Sequence, residues 1–214
     1  MQQIIPQIIN KRAGVFQNYE DFPITYSPIK AGVYNIYLYG DIISAQQFIG
    51  AVEVMAAAGE NDTVVIHLST NGGSLEATDT LIQAIRECEA QVVCKASGGV
   101  HSAGSIILLE SDIFTLSENA SFLIHNGSVG VGGKFSDYRA EVAHTSRYME
   151  RVLRSTYEGF LSIEEIEDML KGVDLWLDSQ QFSERYIKRN EYYTPDKSKF
   201  FTKNSKNRIR MGFW

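Results

Sequence analysis

The sequence has few cysteines, few prolines and no long hydrophobic run, and each scarcity excludes a class of protein. Its 214 residues include 2 cysteines and 4 prolines. Cys88 and Cys94 cannot form the disulfide framework of a small secreted domain, and they lack the spacing of a metal site. No apolar run approaches the roughly 20 residues that span a bilayer. The N-terminus also lacks the features of a signal peptide, so we expect a cytoplasmic protein without a membrane partner.

Positive charge is scarce in most of the chain. Residues 184–214 hold nine Lys and Arg against three Asp and Glu, whereas residues 1–183 hold eleven against twenty-three. An acidic body disfavours nucleic acid as a partner, because duplex binding requires a basic face on the folded domain. We interpret the basic tail as solvated or in contact with another subunit.

The remaining composition is that of a globular protein, with 44% hydrophobic and 21% charged residues. Strand-like and helix-like patterns alternate from Val33 onward, which predicts an α/β fold. Six strands are expected, at 33–39, 63–68, 91–96, 113–116, 121–124 and 175–177. Helices are expected between them, including a long polar helix at about 135–160 and a final helix at about 179–189. Residues 163–170 form a further predicted helix with a capping box at Ser162 and Glu165.

The segment around Ser102 carries the strongest chemical signal. A predicted strand ending at Ala96 runs into Gly98-Gly99, then Ser102, then the apolar run Ile106–Leu109. A strand–turn–helix elbow holds a hydroxyl at the start of a helix and presents free N–H groups to an anion. A serine nucleophile and its oxyanion hole require both. The alternative is a glycine-rich turn in which Ser102 only caps the helix.

A serine nucleophile needs a base, and the chain offers four histidines. Three of them are poorly placed. His67 lies within an apolar strand, where a core residue is typical, and His144 lies in the polar helix. His101 is directly beside the serine, and neighbouring side chains on a turn usually diverge. His125 follows a predicted strand and precedes the loop-forming Asn126-Gly127, and sites in α/β proteins are built at such strand ends. His125 is therefore the candidate base.

Two further segments could complete such a site. Asp174 precedes the apolar segment Leu175–Leu177 and could orient the base; the alternative is that it only closes a turn. Gly72-Gly73 offers a backbone that a ligand can approach closely, with amides at a helix start.

Together these motifs resemble those of the Clp protease proteolytic subunit, a serine peptidase of the ClpP/crotonase fold. The resemblance covers about residues 33–190. Four segments carry it in the family's order: Ser69–Gly73, His101–Leu109, Leu123–Gly127 and Val173–Ser179. The resemblance implies an α/β spiral of ββα units with a protruding handle helix at about 135–160. The peptidase domain is thus expected at 33–190. Residues 1–32, with three prolines and little periodicity, are interpreted as an irregular arm, and residues 191–214 as a basic tail; neither end resembles the family.

The resemblance also implies roles for individual residues. Ser102 corresponds to the nucleophile, His125 to the general base and acid, and Asp174 to the residue that orients the histidine. The backbone N–H groups of Gly73 and Ala103 correspond to the oxyanion donors. The implied substrate-binding residues are Gly72, Gly73 and Asn126. Neither a metal nor an organic cofactor is implied.

The implied protein is a serine endopeptidase that cleaves unfolded polypeptides inside a chamber. The resemblance implies a homo-oligomeric ring, expected as a stacked double heptamer, with an AAA+ unfoldase as a candidate partner. The chain departs from the family where Asn71, His101 and Ala103 replace a proline, a small residue and a methionine. Two alternatives stay open: a catalytically silent ring subunit of the same fold, and a crotonase-type acyl-CoA enzyme.

Overall fold

A computed structural model describes residues 30–128, 130 and 134–193, with backbone alone at 135–138 and 190–193. It also describes two short strands near the N-terminus, β1 (Val15–Phe16) and β2 (Ile24–Thr25), which pair antiparallel. This ribbon lies within the segment predicted as an irregular arm. The remainder of that arm and the tail from 194 onward lie outside the described residues.

From residue 30 onward, strands and helices alternate as the sequence predicts. A short 3-10 helix, Ala45–Phe48, follows the first strand of this region. The elements are β3 (Val33–Tyr39), α1 (Ile49–Ala57), β4 (Thr63–Thr70), α2 (Leu75–Glu87), β5 (Gln91–His101), α3 (Ala103–Glu110), β6 (Ile113–Leu116), β7 (Ser121–Ile124), α4 (Phe135–Tyr157), α5 (Ile163–Leu170), β8 (Leu175–Asp178) and α6 (Ser179–Tyr193).

The main sheet has the strand order β3-β4-β5-β7-β8, and β6 also pairs with β5. All pairs are parallel except β7 with β8. The helices that follow β4 and β5 are therefore crossover connections of a parallel sheet. The predicted α/β class is confirmed.

Strand β5 is longer than the sequence predicts. The prediction ended it at Ala96 and took Gly98-Gly99 as a turn, which is wrong, because the strand continues to His101. Residues 93–96 pair with β6, and residues 99–101 pair with β7. Gly98 lies between these two sets of pairs and has φ +62°. Pairing with β7 resumes at Gly99, so the strand ends only at His101 and the turn comes at Ser102.

The core lies between the sheet and the helices that cover one of its faces. In α3, all seven residues from Ala103 to Leu109 are buried, which explains why the helix is apolar all round. Both cysteines are buried. Burial raises the pKa of the Cys94 thiol to about 12, so this thiol is protonated at neutral pH. No described helix combines the length and the apolar character that crossing a membrane requires.

The other face of the sheet is open at β3 and β4. His67 was expected to be a core residue, but it is partly exposed. Its ring stacks on Tyr37, with 4.6 Å between centroids, and its Nε2 lies 3.0 Å from Oδ1 of Asn35. Because side chains of a strand alternate between the faces, His67 points away from the face that buries Ile66 and Leu68.

The predicted helices at the C-terminal end of the domain are present. Helix α4 ends at Tyr157, three residues before the predicted end. Helix α5 begins with the predicted capping box: the Ser162 hydroxyl accepts from the N–H of Glu165 at 3.2 Å, and the Glu165 carboxylate accepts from the N–H of Ser162 at 2.9 Å.

Candidate active site

Ser102 occupies a strained turn between β5 and α3. Its backbone has φ 54° and ψ −122°, and it is the sole non-glycine residue with positive φ in the described part of the chain. Such a conformation costs about 1–3 kcal/mol and persists where its surroundings hold it. The N–H of Ser102 donates to the carbonyl of Leu123 at 2.7 Å. The hydroxyl makes no helix-capping hydrogen bond, so the alternative of a simple cap is wrong.

The Gly72-Gly73 turn packs directly against this elbow. Gly72 has φ +94°, and a Cβ there would lie 2.6 Å from Cβ of Ser102 and 3.0 Å from the backbone nitrogen of Ala103. Gly73 has φ +143°, and its Cβ would collide with the backbone of Ile42. Only glycine fits at either position, because each backbone packs against another protein segment. Close approach of a ligand to this turn stays a prediction.

Two backbone N–H groups remain available beside Ser102. The turn is joined to Ile42 through the N–H of Ile42 to Gly72 O and the N–H of Ser74 to Ile42 O, both at 2.8 Å. Neither bond uses the N–H of Gly73. Ala103 is the first residue of α3 and has no intrahelical acceptor. Within the described residues, neither N–H has a protein acceptor.

A cavity of about 820 Å³ opens next to Ser102. It brings together most of the residues that the sequence indicates: Ser102, His125, Asn126, Gly72 and Gly73. The amide of Asn126 donates to the carbonyl of Leu170 at 3.3 Å, which ties the loop after β7 to α5. The elbow, the glycine turn and the loop that carries His125 therefore share one concave surface, the usual form of a small-molecule or peptide site.

Asp174 directly precedes β8 and does not line the cavity. Strands β7 and β8 pair Ile124 with Leu175. His125 follows Ile124 and Asp174 precedes Leu175, so both residues adjoin the paired ends of these two strands. The Asp174 side chain is exposed. In the described part of the chain, no hydrogen bond joins Ser102 to His125 or His125 to Asp174.

Helix α4 forms a wall of the cavity that the sequence interpretation missed. Its lining residues are Glu141, His144, Thr145, Tyr148, Met149, Leu153 and Tyr157. His144, set aside as a candidate base because it lies in the polar helix, is exposed and also lines this cavity. The lining residues recur at helical spacing, which defines one face of α4. That spacing was readable, but nothing local in it tells which surface the face covers.

The cavity is acidic. Four carboxylates line it, from Asp41, Glu76, Asp79 and Glu141, and its described lining includes no lysine or arginine. Burial, followed by the charges of Asp79 and Glu76, raises the pKa of Tyr148, while Arg151 acts in the opposite direction. The Tyr148 phenol is therefore a neutral hydrogen-bond donor at neutral pH.

His101 packs on the sheet face beside the elbow and does not line the cavity. Its Nε2 lies 3.1 Å from Oγ of Ser121, and the ring meets Trp176 edge-on with 5.3 Å between centroids. Burial, with a smaller contribution from the charge of His125, lowers the pKa of His101. His101 is therefore a neutral packing residue at neutral pH, placed between the Ser102 elbow and β8.

No described group of three or more His, Cys, Asp or Glu side chains is arranged to hold a metal ion. The elements of the site are backbone amides, a hydroxyl and an imidazole around an acidic cavity. This set of groups is suited to acyl transfer, in which a hydroxyl attacks a carbonyl and amides stabilise the oxyanion.

The chain belongs to the Clp protease family. The sequence model of that family matches residues 34–184, which include the elbow, the glycine turn, His125 and Asp174. The match favours a peptidase over an acyl-CoA enzyme of the same fold.

Curated relatives carry the names of proteolytic subunits. The chain is 28% identical over 114 residues to ATP-dependent Clp protease proteolytic subunit 2 of Pseudomonas aeruginosa, covering 50% of this chain and 56% of that protein. It is 26% identical over 153 residues to subunit 3 of Rhizobium etli, covering 69% and 77%. Identity to subunit 3 of Rhizobium johnstonii is 28% over 124 residues, covering 56% and 63%. The match to the Pseudomonas protein thus spans little more than half of that relative.

Proposed function

We propose that this chain is a serine endopeptidase that cleaves unfolded polypeptides. Ser102 is the nucleophile, His125 is the general base and acid, and Asp174 orients His125. The observation that carries the proposal is the strained backbone of Ser102, which faces a cavity shared with His125 while its hydroxyl caps no helix. Strain of this kind at a strand–helix elbow is typical of nucleophilic serines.

The proposed mechanism proceeds through an acyl-enzyme. Ser102 Oγ attacks the scissile carbonyl as His125 accepts its proton, and the N–H groups of Gly73 and Ala103 stabilise the oxyanion. His125 then protonates the leaving amine. Water, deprotonated by His125, attacks the ester carbonyl, and Ser102 is released with its proton restored. An extended peptide lying beside Gly72 and Asn126 supplies the carbonyl.

Assembly into a ring belongs to the same proposal. The relatives are named as subunits of an ATP-dependent protease, and we propose a homo-oligomeric double ring served by an AAA+ unfoldase. Native mass spectrometry tests the assembly: a mass that is a multiple of 24.0 kDa, doubled when two rings stack, is expected. A monomer at micromolar concentration would contradict it.

The nucleophile is tested by labelling with a fluorophosphonate or β-lactone probe, followed by intact mass. We expect one adduct per chain on the wild type, none on Ser102→Ala, and labelling slowed by at least a hundredfold in His125→Ala. Ser111→Ala is the matched control, since Ser111 lies at the other end of α3 and bonds to Ile107 O. An adduct that persists in Ser102→Ala would assign the nucleophile elsewhere.

A catalytically silent ring subunit is the competing proposal. The observation that favours it is that no described hydrogen bond joins Ser102, His125 and Asp174. Catalytic hydrogen bonds are often long in free enzymes and shorten when substrate binds. An assembled ring that binds unfolded polypeptide but forms no adduct would establish the silent subunit.

A further inference from the structure

The carbonyl of Ser102 is held by the side chain of Ser105. Ser105 Oγ donates to Ser102 O at 2.7 Å, and the N–H of Ser105 donates to the same oxygen at 3.0 Å. The Ser102 carbonyl and the Ala103 N–H belong to one planar peptide unit and point in opposite directions. Anchoring the carbonyl therefore sets the direction of the Ala103 N–H, one of the two proposed oxyanion donors.

Ser105 is in turn held by Tyr157. The hydroxyl of Tyr157 lies 2.7 Å from Ser105 Oγ. A serine hydroxyl carries one proton, and that of Ser105 is directed at Ser102, so Tyr157 is the donor in this pair. Burial raises the pKa of Tyr157, opposed by the bond to Ser105 and the charge of Arg189. The phenol therefore keeps its proton at neutral pH, and the hydrogen bonds run from Tyr157 to Ser105 to Ser102.

This chain of hydrogen bonds joins two elements far apart in sequence. Tyr157 is the last residue of α4, whose preceding turns line the cavity, and Ser105 lies in the first turn of α3. Both side chains are buried. Packing alone does not require two hydroxyls here, because an apolar pair of the same shape leaves no polar group unsatisfied.

We infer that Ser105 and Tyr157 are positioning residues, which orient the Ala103 N–H toward the oxyanion. Through them, the orientation of this N–H depends on the position of the C-terminal end of α4. The inference rests on the proposed function. It assigns to α4 an influence on the chemical step in addition to its place in the cavity wall.

The test compares Ser105→Ala, Tyr157→Phe and the double variant. Ser105→Ala leaves the buried Tyr157 hydroxyl without its acceptor, so its Tm should fall; the double variant removes both hydroxyls, so its Tm should return toward that of the wild type. Peptide hydrolysis by the double variant should stay about tenfold slower in kcat, with KM changed less than twofold. Loss of a whole oxyanion donor costs about 10²–10³ in kcat, and a misaimed donor costs less.

Ser111→Ala is the matched control. It removes a buried serine hydroxyl that donates to a backbone carbonyl of the same helix, Ser111 Oγ to Ile107 O at 3.0 Å. Ser111 lies at the opposite end of α3 from the elbow. We expect the kcat of Ser111→Ala to equal that of the wild type even if its Tm falls. If activity depended only on the stability of α3, kcat would fall in this variant too.

The outcomes separate the inference from the proposed function. A double variant that regains both Tm and kcat would overturn the inference and leave the peptidase proposal intact. If the wild type forms no adduct, the peptidase proposal fails. A crystal structure of the double variant then tests the positioning role of Ser105 and Tyr157 by itself. A Ser102 that keeps φ near 54° overturns the positioning role; a Ser102 that leaves the positive-φ region supports it.

Discussion

Ser102 and Gly72 both have positive φ and pack directly against each other. The backbone of Gly72 lies so close to Ser102 that a Cβ on Gly72 would be 2.6 Å from the Cβ of Ser102. Hydrogen bonds from Ser102 N–H to Leu123 and from Ser105 to Ser102 O hold the strained residue on both sides. The strain is therefore supported by β7, by α3 and by the glycine turn together.

Gly72→Ala should cost more stability than Gly40→Ala. The two glycines have nearly the same φ, +94° and +93°, but a Cβ at Gly40 meets nothing within 4 Å. The left-handed conformation alone should cost Gly40→Ala about 1 kcal/mol. Gly72→Ala adds a collision with Ser102 and His101 and should cost about 3 kcal/mol or more.

Urea denaturation measures both costs, and probe labelling reports the site. We expect Gly72→Ala to lose labelling of Ser102 and Gly40→Ala to retain it. Equal free energies of unfolding for the two variants would show that the turn does not support the elbow.

At the scale of elements, Glu165 ties α5 to α6. Its carboxylate accepts the Ser162 N–H of the capping box and two hydrogen bonds from Arg185, at 2.7 and 2.8 Å. The bond from Arg185 is the main cause that lowers the pKa of Glu165 below its ordinary value. One side chain thus completes the start of one helix and fixes its packing against another.

Glu165→Gln should destabilise the protein by about 1 kcal/mol at pH 7, because the ion pair is partly exposed. Since the folded-state pKa of Glu165 is lowered, its contribution is complete above the ordinary pKa of about 4.5 and declines as pH falls below it. Thermal unfolding of the wild type and variant from pH 7 to pH 3 should show curves that converge at low pH.

Glu164→Gln is the control for this prediction. Glu164 precedes Glu165 in the first turn of α5 and is exposed, so its replacement removes the same charge near the helix start without breaking the contact with Arg185. A Glu164→Gln variant as unstable as Glu165→Gln would assign the effect to the helix dipole alone.

At the scale of the whole molecule, separate elements create an acidic cavity. Glu76 and Asp79 come from α2, Glu141 from α4, and Asp41 from the segment after β3. Converging carboxylates raise the local concentration of cations. The cavity beside Ser102 is therefore electrostatically biased toward positively charged ligands.

Peptides with lysine near the scissile bond should be hydrolysed with several-fold higher kcat/KM than matched peptides with glutamate. These carboxylates are largely solvent-exposed, so the preference should shrink from 50 mM to 500 mM salt. The double variant Glu76→Gln/Asp79→Asn should reduce it, and Glu118→Gln, outside the cavity, should not. A salt-independent preference, or none, would refute the electrostatic account.

The order of elements and the segments of the candidate site were predictable from the sequence. Apolar periodicity located β6, β7 and α5 at the bounds that the structure shows. An element that buries one face carries apolar residues at its own period, and that spacing is visible within a few residues. The capping box of α5 was readable for the same reason, since Ser162 and Glu165 are only three positions apart. The catalytic roles of Ser102, His125 and Asp174 stay predictions.

Contacts between distant segments required the tertiary structure. Strand pairing with β7 carried β5 through the glycine pair to His101, and the open sheet face left His67 partly exposed. The return of α4 over the cavity, and the bond between Ser105 and Tyr157 across 52 residues, have no local signature. The sequence by itself determined which segments are strands, helices and elbow, because those depend on neighbours within a few residues. Only tertiary packing decided which of these segments face one another around Ser102, because their arrangement depends on strand pairing and helix packing between residues far apart in the sequence.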